Sequence, residues 1–128
     1  MFPEVMRVLL GRVPASSPAS VAGWRVAALP GRVYPALVAG EAIAKGQLMT
    51  DLTPAEWRLL DAFEDDVYEL HRLTLTDGRY GWAYVSNHTD AAPHDWDTDT
   101  FERDHLADYL KRCAAWRHRY ETQMTDQN

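Results

Sequence analysis

Disulfide bonds, long apolar runs and a basic surface are all missing from this chain. Its 128 residues include one cysteine, Cys113, so no disulfide can form within it, as is typical of proteins in a reducing cytoplasm. No apolar run is long enough to cross a bilayer. Lys and Arg number 13 against 19 Asp and Glu, a net charge of −6, whereas nucleic acids and anionic membranes attract basic surfaces. We therefore expect a cytoplasmic protein that binds neither nucleic acid nor membrane, with Cys113 as a small apolar residue of a helix.

The composition is that of a folded globular protein, with 46% hydrophobic and 25% charged residues. Five Trp and six Tyr supply large, rigid side chains for a core. The length suits one domain. We expect this domain to occupy residues 1–120 and residues 121–128 to form a disordered tail.

The first half of the chain predicts a short helix followed by short strands. Residues 2–11 place apolar side chains on one helical face, and Gly11 can end the helix. The small and polar residues 14–20 predict a loop. Apolar segments separated by glycine and proline then predict strands at Trp24–Leu29, Tyr34–Val38 and Ile43–Met49.

A second helix is predicted over residues 54–63 from its start signal. Thr53 can cap the N-terminus, Pro54 suits the first helical position, and Glu56 can complete a capping box. Apolar side chains follow at helical spacing, and Glu64 lies just past the end of the helix.

The second half predicts a hairpin and a final helix. Asp77-Gly78 is a turn pair, and the return strand places three aromatic residues on one face, which we expect to be inward: Tyr80, Trp82 and Tyr84. After an acidic loop, Asp99 with Glu102 can start a helix with one apolar stripe, comprising Phe101, Leu106, Tyr109, Leu110, Cys113, Trp116 and Tyr120. These elements predict an α+β fold, a small antiparallel β-barrel or sheet with flanking short helices and a C-terminal helix.

Five segments, in chain order, resemble the gamma-glutamylcyclotransferase-like family. They are residues 3–11 (PEVMRVLLG), Tyr34–Val38 (YPALV), Gly46–Leu48 (GQL, with Gln47 for the usual Glu), residues 60–64 (LDAFE) followed by Tyr68, and residues 81–85 (GWAYV). Each motif is short, but the order and spacing of all of them across residues 3–86 are specific.

The resemblance implies a small β-barrel whose mouth holds a gamma-glutamyl group. It implies a cyclisation in which the α-amine attacks the side-chain carbonyl, 5-oxoproline forms and another amine leaves. Glu64 matches the catalytic position, where a carboxylate takes a proton from the ammonium and returns one to the leaving nitrogen as general acid/base. Because the ring closure is intramolecular, no metal or cofactor is implied. The leaving side stays open: an amino acid, a peptide such as glutathione, an amine or a tag on a biosynthetic intermediate.

Each candidate site residue also has a purely structural interpretation. Glu64 precedes two aspartates and could belong to a solvated acidic run. Tyr34 and Pro35 either line the substrate pocket or end a strand that packs into the barrel. Tyr84 either donates a hydrogen bond to the substrate or is an aromatic residue of the inner sheet face.

A metal site is not expected from the histidines and aspartates late in the chain. Their spacing fits no compact ligand pattern, and the segment is typical of a solvated loop. The residues concerned are His88, Asp90, His94, Asp95 and Asp97.

Two departures from the family pattern bear on function. Leu70 stands where the family usually has Arg. The opening Tyr-Gly-Thr-Leu strand, whose backbone N–H groups would hold the substrate's carboxylate and the developing oxyanion, is absent from the 128 residues, and Met1 stands where that motif should have just ended. We expect a start site placed too late or a truncated gene, and hence a short form that is poorly soluble or inactive.

An alternative function is therefore kept, a non-catalytic domain that binds a small molecule or a protein. The oligomeric state is left open.

Overall fold

The computed structural model describes residues 2–64, 68–86 and 91–126, and these ranges form four helices and four strands. In chain order the elements are α1 (Pro3–Leu10), β1 (Ser16–Ala27), β2 (Ala36–Met49), α2 (Pro54–Phe63), β3 (Tyr68–Thr74), β4 (Tyr80–Ser86), α3 (Thr98–Asp104) and α4 (Leu106–Asp126). The strand pairs are antiparallel. The predicted α+β fold class is therefore confirmed.

The longer of the two hairpins consists of β1 and β2, paired from Ser16 opposite Met49 to Ala27 opposite Ala36. The register shifts once, around Gly23, whose left-handed φ of 86° suits a bulge that other residues would adopt only with strain. Gly23 stands against residues 40–42 of β2, and this irregularity divides the hairpin into two ladders.

The bounds of both strands differ from the prediction. β1 includes residues 16–20, which the sequence predicts to be a loop, and β2 is one strand where two were predicted. The reason is the backbone pairing between the start of β1 and the end of β2, a long-range contact that outweighs the local turn-forming composition. Gly40 and Gly46 consequently lie inside β2 instead of ending strands.

The described sheets do not close into the predicted β-barrel. A barrel requires every strand to be hydrogen-bonded at both edges, whereas each described strand has one ladder partner, β1 with β2 and β3 with β4. The two hairpins meet mainly through side chains, with Leu48 packed against Gly81. The N–H of Thr76 also donates to the carbonyl of Ser20 at 2.9 Å. The arrangement is two adjoining hairpins, with the helices against them.

The predicted capping box of α2 is confirmed. The hydroxyl of Thr53 accepts from the N–H of Glu56 at 3.2 Å, and the carboxylate of Glu56 accepts from the N–H of Thr53 at 2.9 Å. The guanidinium of Arg12 donates to both oxygens of the same carboxylate, at 2.7 and 2.8 Å. Gly11 ends α1 with a φ of 77°, as predicted. These contacts fix both the start of α2 and its position beside α1.

The main core lies where α1, α2 and α4 meet. Its buried side chains are Val5, Met6, Leu9, Leu59, Leu60 and Cys113. The stripe predicted on the last helix packs on this cluster, with Leu106 and Leu110 partly buried there. The helical region begins earlier than predicted, since Asp97 and not Asp99 caps α3, and its path is interrupted at His105.

The end of α4 differs from the expected disordered tail, because the helix continues through Asp126. Just before this part, Arg117 forms a salt bridge with Glu121 one turn later, at 3.2 Å. The ring of Trp116 stacks on Tyr120 at 5.1 Å. Pairs spaced by about one turn stabilise a helix locally, so these contacts support the turn from which the last residues of the helix continue.

The outer face of β4 is more exposed than predicted. Tyr80 and Trp82 are 59% and 57% exposed, so the expected burial of Trp82 is wrong, whereas Tyr84 is half-buried. Trp82 lies opposite Arg72 of β3, whereas Tyr84 on the same face of the strand reaches α2 through Asp61, so this face is covered at one end and exposed at the other. None of the helices in the described ranges combines the length and apolar composition needed to cross a membrane.

Candidate functional site

A cavity of about 1020 Å³ lies at the junction of the hairpins and the helices. Every described helix and strand contributes to its lining, and the wall is rich in aromatic residues. The residues that line it are Phe2, Pro3, Val5, Val26, Tyr34, Pro35, Leu37, Lys45, Gln47, Phe63, Glu64, Tyr68, Tyr84, Trp96, Thr98, Phe101, Tyr109, Arg112, Cys113, Ala115, Trp116 and Arg119. The structure therefore brings all four sequence-predicted site residues, Glu64, Tyr34, Pro35 and Tyr84, to one cavity.

Glu64 enters the cavity from the C-terminal end of α2. Its N–H donates to the carbonyl of Leu60 at 3.1 Å, and its φ of −66° and ψ of 140° turn the chain out of the helix. The residue is half-buried. A helix that is capped at its N-terminus and packed on the core holds its C-terminal residue in a defined place. Glu64 therefore leaves the backbone at a defined point and is partly shielded from solvent, whereas Asp65 and Asp66, the other members of the acidic run, lie outside the described residues.

The negative charge of the Glu64 carboxylate affects the pKa of three tyrosines of the cavity wall. Burial is the main cause that raises the pKa of Tyr68, Tyr84 and Tyr109, and the negative charge of Glu64 contributes to the rise in each. A phenol whose pKa is raised above its ordinary value stays protonated at neutral pH. The three phenols beside Glu64 are therefore neutral at neutral pH.

Tyr34 and Pro35 form a wall that Tyr68 holds in place. The hydroxyl of Tyr68 donates to the carbonyl of Pro35 at 2.7 Å. The ring of Tyr34 lies 6.5 Å from that of Tyr68 and 6.3 Å from that of Tyr109, within the range of aromatic pairing. Both interpretations of this segment are therefore compatible, since the same residues pack against the fold and face the cavity.

The hydroxyl of Tyr84 is engaged with the protein itself. It donates to the carboxylate of Asp61 at 3.0 Å, which connects β4 to α2 three residues before Glu64. This bond orients the ring at the cavity wall. A ligand can still reach the hydroxyl oxygen as an acceptor, but a donated bond to a ligand would compete with Asp61.

Sequence reasoning did not assign the side of the cavity that α4 supplies. The spacing of the sequence predicts an apolar stripe on that helix but gives no sign that part of the stripe lines a cavity. Phe63 meets Trp116 edge to face at 5.0 Å and so joins α2 to this wall. Burial raises the pKa of Cys113 to about 11, so its thiol is protonated at neutral pH and is a poor nucleophile.

The late histidines and aspartates contribute structural contacts where they are described. Asp97 caps α3, accepting from the N–H groups of Asp99 and Thr100, and Asp95 pairs with Arg25 at 3.2 Å. His88 and Asp90 lie outside the described residues. In the ranges that the structure covers, no three His, Cys, Asp or Glu side chains are grouped so that they could hold a metal ion.

Comparison with known proteins gives the same family as the sequence motifs. The model of the family described as "Gamma-glutamyl cyclotransferase, AIG2-like" matches residues 1–111. AIG2-like protein D of Arabidopsis thaliana is 28% identical over 120 residues, which cover 87% of this chain and 79% of that protein. AIG2-like protein C of the same plant is 40% identical over 68 residues, 52% of this chain and 40% of that protein.

Solved structures support this assignment. One solution structure of an Arabidopsis thaliana protein has a TM-score of 0.63 at 26% identity and covers 87% of this chain and 80% of its own. A second, also from Arabidopsis thaliana, has a TM-score of 0.61 at 22% identity, covers 97% of this chain and 78% of its own, and bears on the fold alone. On the match of the family model over most of its length, this chain belongs to the gamma-glutamyl cyclotransferase, AIG2-like family.

Proposed function

We propose that this chain binds a gamma-glutamyl compound in the cavity and releases 5-oxoproline from it, with Glu64 as general acid and base. One observation carries the proposal: Glu64, Tyr34, Pro35 and Tyr84, which come from three separate segments of the chain, line the same cavity. Membership of the family makes this class of substrate the first one to test.

The proposed reaction needs one proton carrier. At neutral pH the α-amine of the substrate is mostly an ammonium, which cannot attack a carbonyl. The carboxylate of Glu64 takes the proton, the amine nitrogen attacks the side-chain carbonyl carbon, and a five-membered ring closes. The ring nitrogen still carries two protons at this point. Glu64 returns the first proton to the leaving nitrogen as the bond from that carbon to it breaks. It then takes the second proton from the ring nitrogen and passes it to the released amine, which departs as an ammonium, so that Glu64 is a carboxylate again. No proton is gained or lost over the cycle.

The cavity supports this chemistry by its shape and its lining. Its volume of about 1020 Å³ is at the upper end of small-molecule sites, which span about 300–1,000 Å³, so a gamma-glutamyl group and a leaving group both have room. The rings of Tyr34, Tyr68 and Tyr109 give one side a stiff surface. Binding would hold the substrate folded, with its amine near its own carbonyl. Much of the entropy cost of ring closure would then be met on binding and not in the reaction step.

The test is to incubate the protein with gamma-glutamyl amino acids, peptides and amines, and to measure both 5-oxoproline by mass spectrometry and binding by calorimetry. We expect release from at least one compound. The variant Glu64→Gln should lose this release. Its matched control is Glu41→Gln, because Glu41 is an exposed carboxylate that does not line the cavity. Binding without release would instead favour the alternative, a non-catalytic binding domain. If the protein neither bound any of these compounds nor released 5-oxoproline from them, the proposal would be contradicted.

A further inference from the structure

The proposed ring closure places a negative charge on the substrate that the carboxylate of Glu64 cannot stabilise. When the amine nitrogen attacks, the side-chain carbonyl oxygen of the substrate becomes an oxyanion, and a second negative group beside it repels that charge. The oxyanion is bonded to the carbon under attack, so it forms next to the nitrogen whose proton Glu64 takes. The reaction therefore needs a hydrogen-bond donor near Glu64, and a donor already fixed in place serves best because it does not have to reorganise.

Two of the three tyrosines beside the proposed base have already committed their proton to the protein. The hydroxyl of Tyr68 donates to the carbonyl of Pro35 at 2.7 Å. The hydroxyl of Tyr84 donates to the carboxylate of Asp61 at 3.0 Å. Because a phenol has one proton to donate, neither residue can donate to a substrate without giving up a bond that holds the wall.

The hydroxyl proton of the third, Tyr109, is not committed in this way. Within residues 2–64, 68–86 and 91–126, no carbonyl or carboxylate accepts from it. The hydroxyl lies within hydrogen-bonding reach of the thiol of Cys113, one turn later on α4. Sulfur is a weak acceptor, whereas an oxyanion is a strong one, so the proton of Tyr109 is available to the reaction.

Aromatic packing restrains the ring of Tyr109. Phe101 of α3 meets it edge to face at 5.5 Å, and the ring of Tyr34 lies 6.3 Å away. Cationic donors of the lining such as Lys45 and Arg112 are exposed and stand at the ends of long side chains. The restrained phenol is therefore the better preorganised donor.

We infer that Tyr109 is a second catalytic residue of the proposed reaction, whose hydroxyl donates a hydrogen bond to the oxyanion that forms on the substrate's side-chain carbonyl. The phenol keeps its proton throughout. Its bond strengthens as the carbonyl electrons move onto oxygen and weakens when the double bond forms again and the other nitrogen leaves. Burial is the main cause that raises the pKa of Tyr109, which keeps the hydroxyl protonated at neutral pH. This inference rests on the proposed function and adds the group that stabilises its oxyanion.

The test compares kcat and KM of Tyr109→Phe with those of the unchanged protein in the assay of 5-oxoproline release, with gamma-glutamyl-alanine as the first substrate. The substitution keeps the ring and its packing, and circular dichroism checks the fold. We expect kcat to fall by about a hundredfold, as on loss of one oxyanion donor, and KM to change by less than about threefold, because the bond forms mainly in the transition state. Calorimetry on Glu64→Gln protein, with and without Tyr109→Phe, should give affinities for the same compound within about threefold of each other. Tyr84→Phe should lower kcat less, since the proton of Tyr84 already belongs to the bond with Asp61.

The matched control is Tyr120→Phe, which removes the same atom from the same helix at a position that does not line the cavity and should leave kcat unchanged. Equal kcat values for Tyr109→Phe and Tyr120→Phe would overturn the inference and leave the proposed function standing. The inference would also be overturned by an equal loss of kcat and affinity, since the hydroxyl would then bind the ground state, or by a larger effect of Tyr84→Phe. If the unchanged protein released 5-oxoproline from none of the gamma-glutamyl compounds, the proposed function would fail and the inference with it.

Discussion

Removing the hydroxyl of Tyr68 tests how the wall of the cavity is held. That hydroxyl donates to the carbonyl of Pro35 at 2.7 Å in a partly buried contact. Tyr68→Phe keeps the ring and its packing but leaves the carbonyl without this donor. A typical hydrogen bond contributes about 0.5–1.5 kcal/mol net, and an unpaired buried group costs about 1–3 kcal/mol. Since the contact is only partly buried and water can replace some of the bond, we expect a loss of about 1–2 kcal/mol in the free energy of unfolding.

The matched control is Tyr80→Phe, which removes the same atom from the partner strand. Tyr80 is 59% exposed, so we expect a change within about 0.5 kcal/mol. Urea titrations of the three proteins, with tryptophan fluorescence and circular dichroism as coincident probes, measure both differences. An equal effect of the two substitutions would refute the idea that the bond from Tyr68 to Pro35 holds the wall.

Three further predictions concern other contacts. The pKa of Glu56 is lowered to about 2, first by the hydrogen bonds from Arg12 and second by the bond from the N–H of Thr53. The stabilisation that these bonds provide is therefore present above about pH 4.5 and is lost as the pH falls towards 2. Glu56→Gln should flatten this part of the stability curve, and an unchanged acid slope would count against the pair. Leu9 is 0% exposed, so Leu9→Ala should lower the free energy of unfolding by about 2–5 kcal/mol in urea titrations. Leu110→Ala should lower it less, because Leu110 is only partly buried. The reverse order would contradict the core as described. Burial raises the pKa of Cys113 to about 11, so a maleimide at pH 7 should label it slowly in the folded protein and rapidly in denaturant, and equal rates would contradict its burial.

Elements set by local signals could be predicted from the sequence. The capping box at Thr53 and Glu56 and the glycine after α1 act through neighbours in the chain, and both are where the sequence places them. The apolar stripe of the last helix follows from its spacing alone, and it packs on α1 and α2. The sequence identifies Glu64 through the motif LDAFE at residues 60–64, which ends at the C-terminal cap of α2.

Features that depend on distant pairing could not be predicted in the same way. The first strand starts at Ser16 because that segment pairs with residues near Met49, and nothing within residues 14–20 encodes the partner. The exposure of Trp82 depends on which face of its hairpin the rest of the fold covers. For the same reason the sequence did not show that Lys45 of β2 and Arg112 and Arg119 of α4 line one cavity, because the two elements are far apart in the chain.

The rate of 5-oxoproline release by the Glu64→Gln protein tests the central claim most directly. Glutamine keeps the shape of the side chain but cannot take the proton of the substrate's ammonium. Loss of a general acid/base lowers turnover by about 10²–10⁴-fold, so we predict a fall of at least about a hundredfold relative to the unchanged protein. The Glu41→Gln control should keep the full rate, and circular dichroism should show the same fold in all three proteins. A Glu64→Gln protein that is folded and releases 5-oxoproline at the unchanged rate would contradict the assignment of Glu64 as the general acid and base.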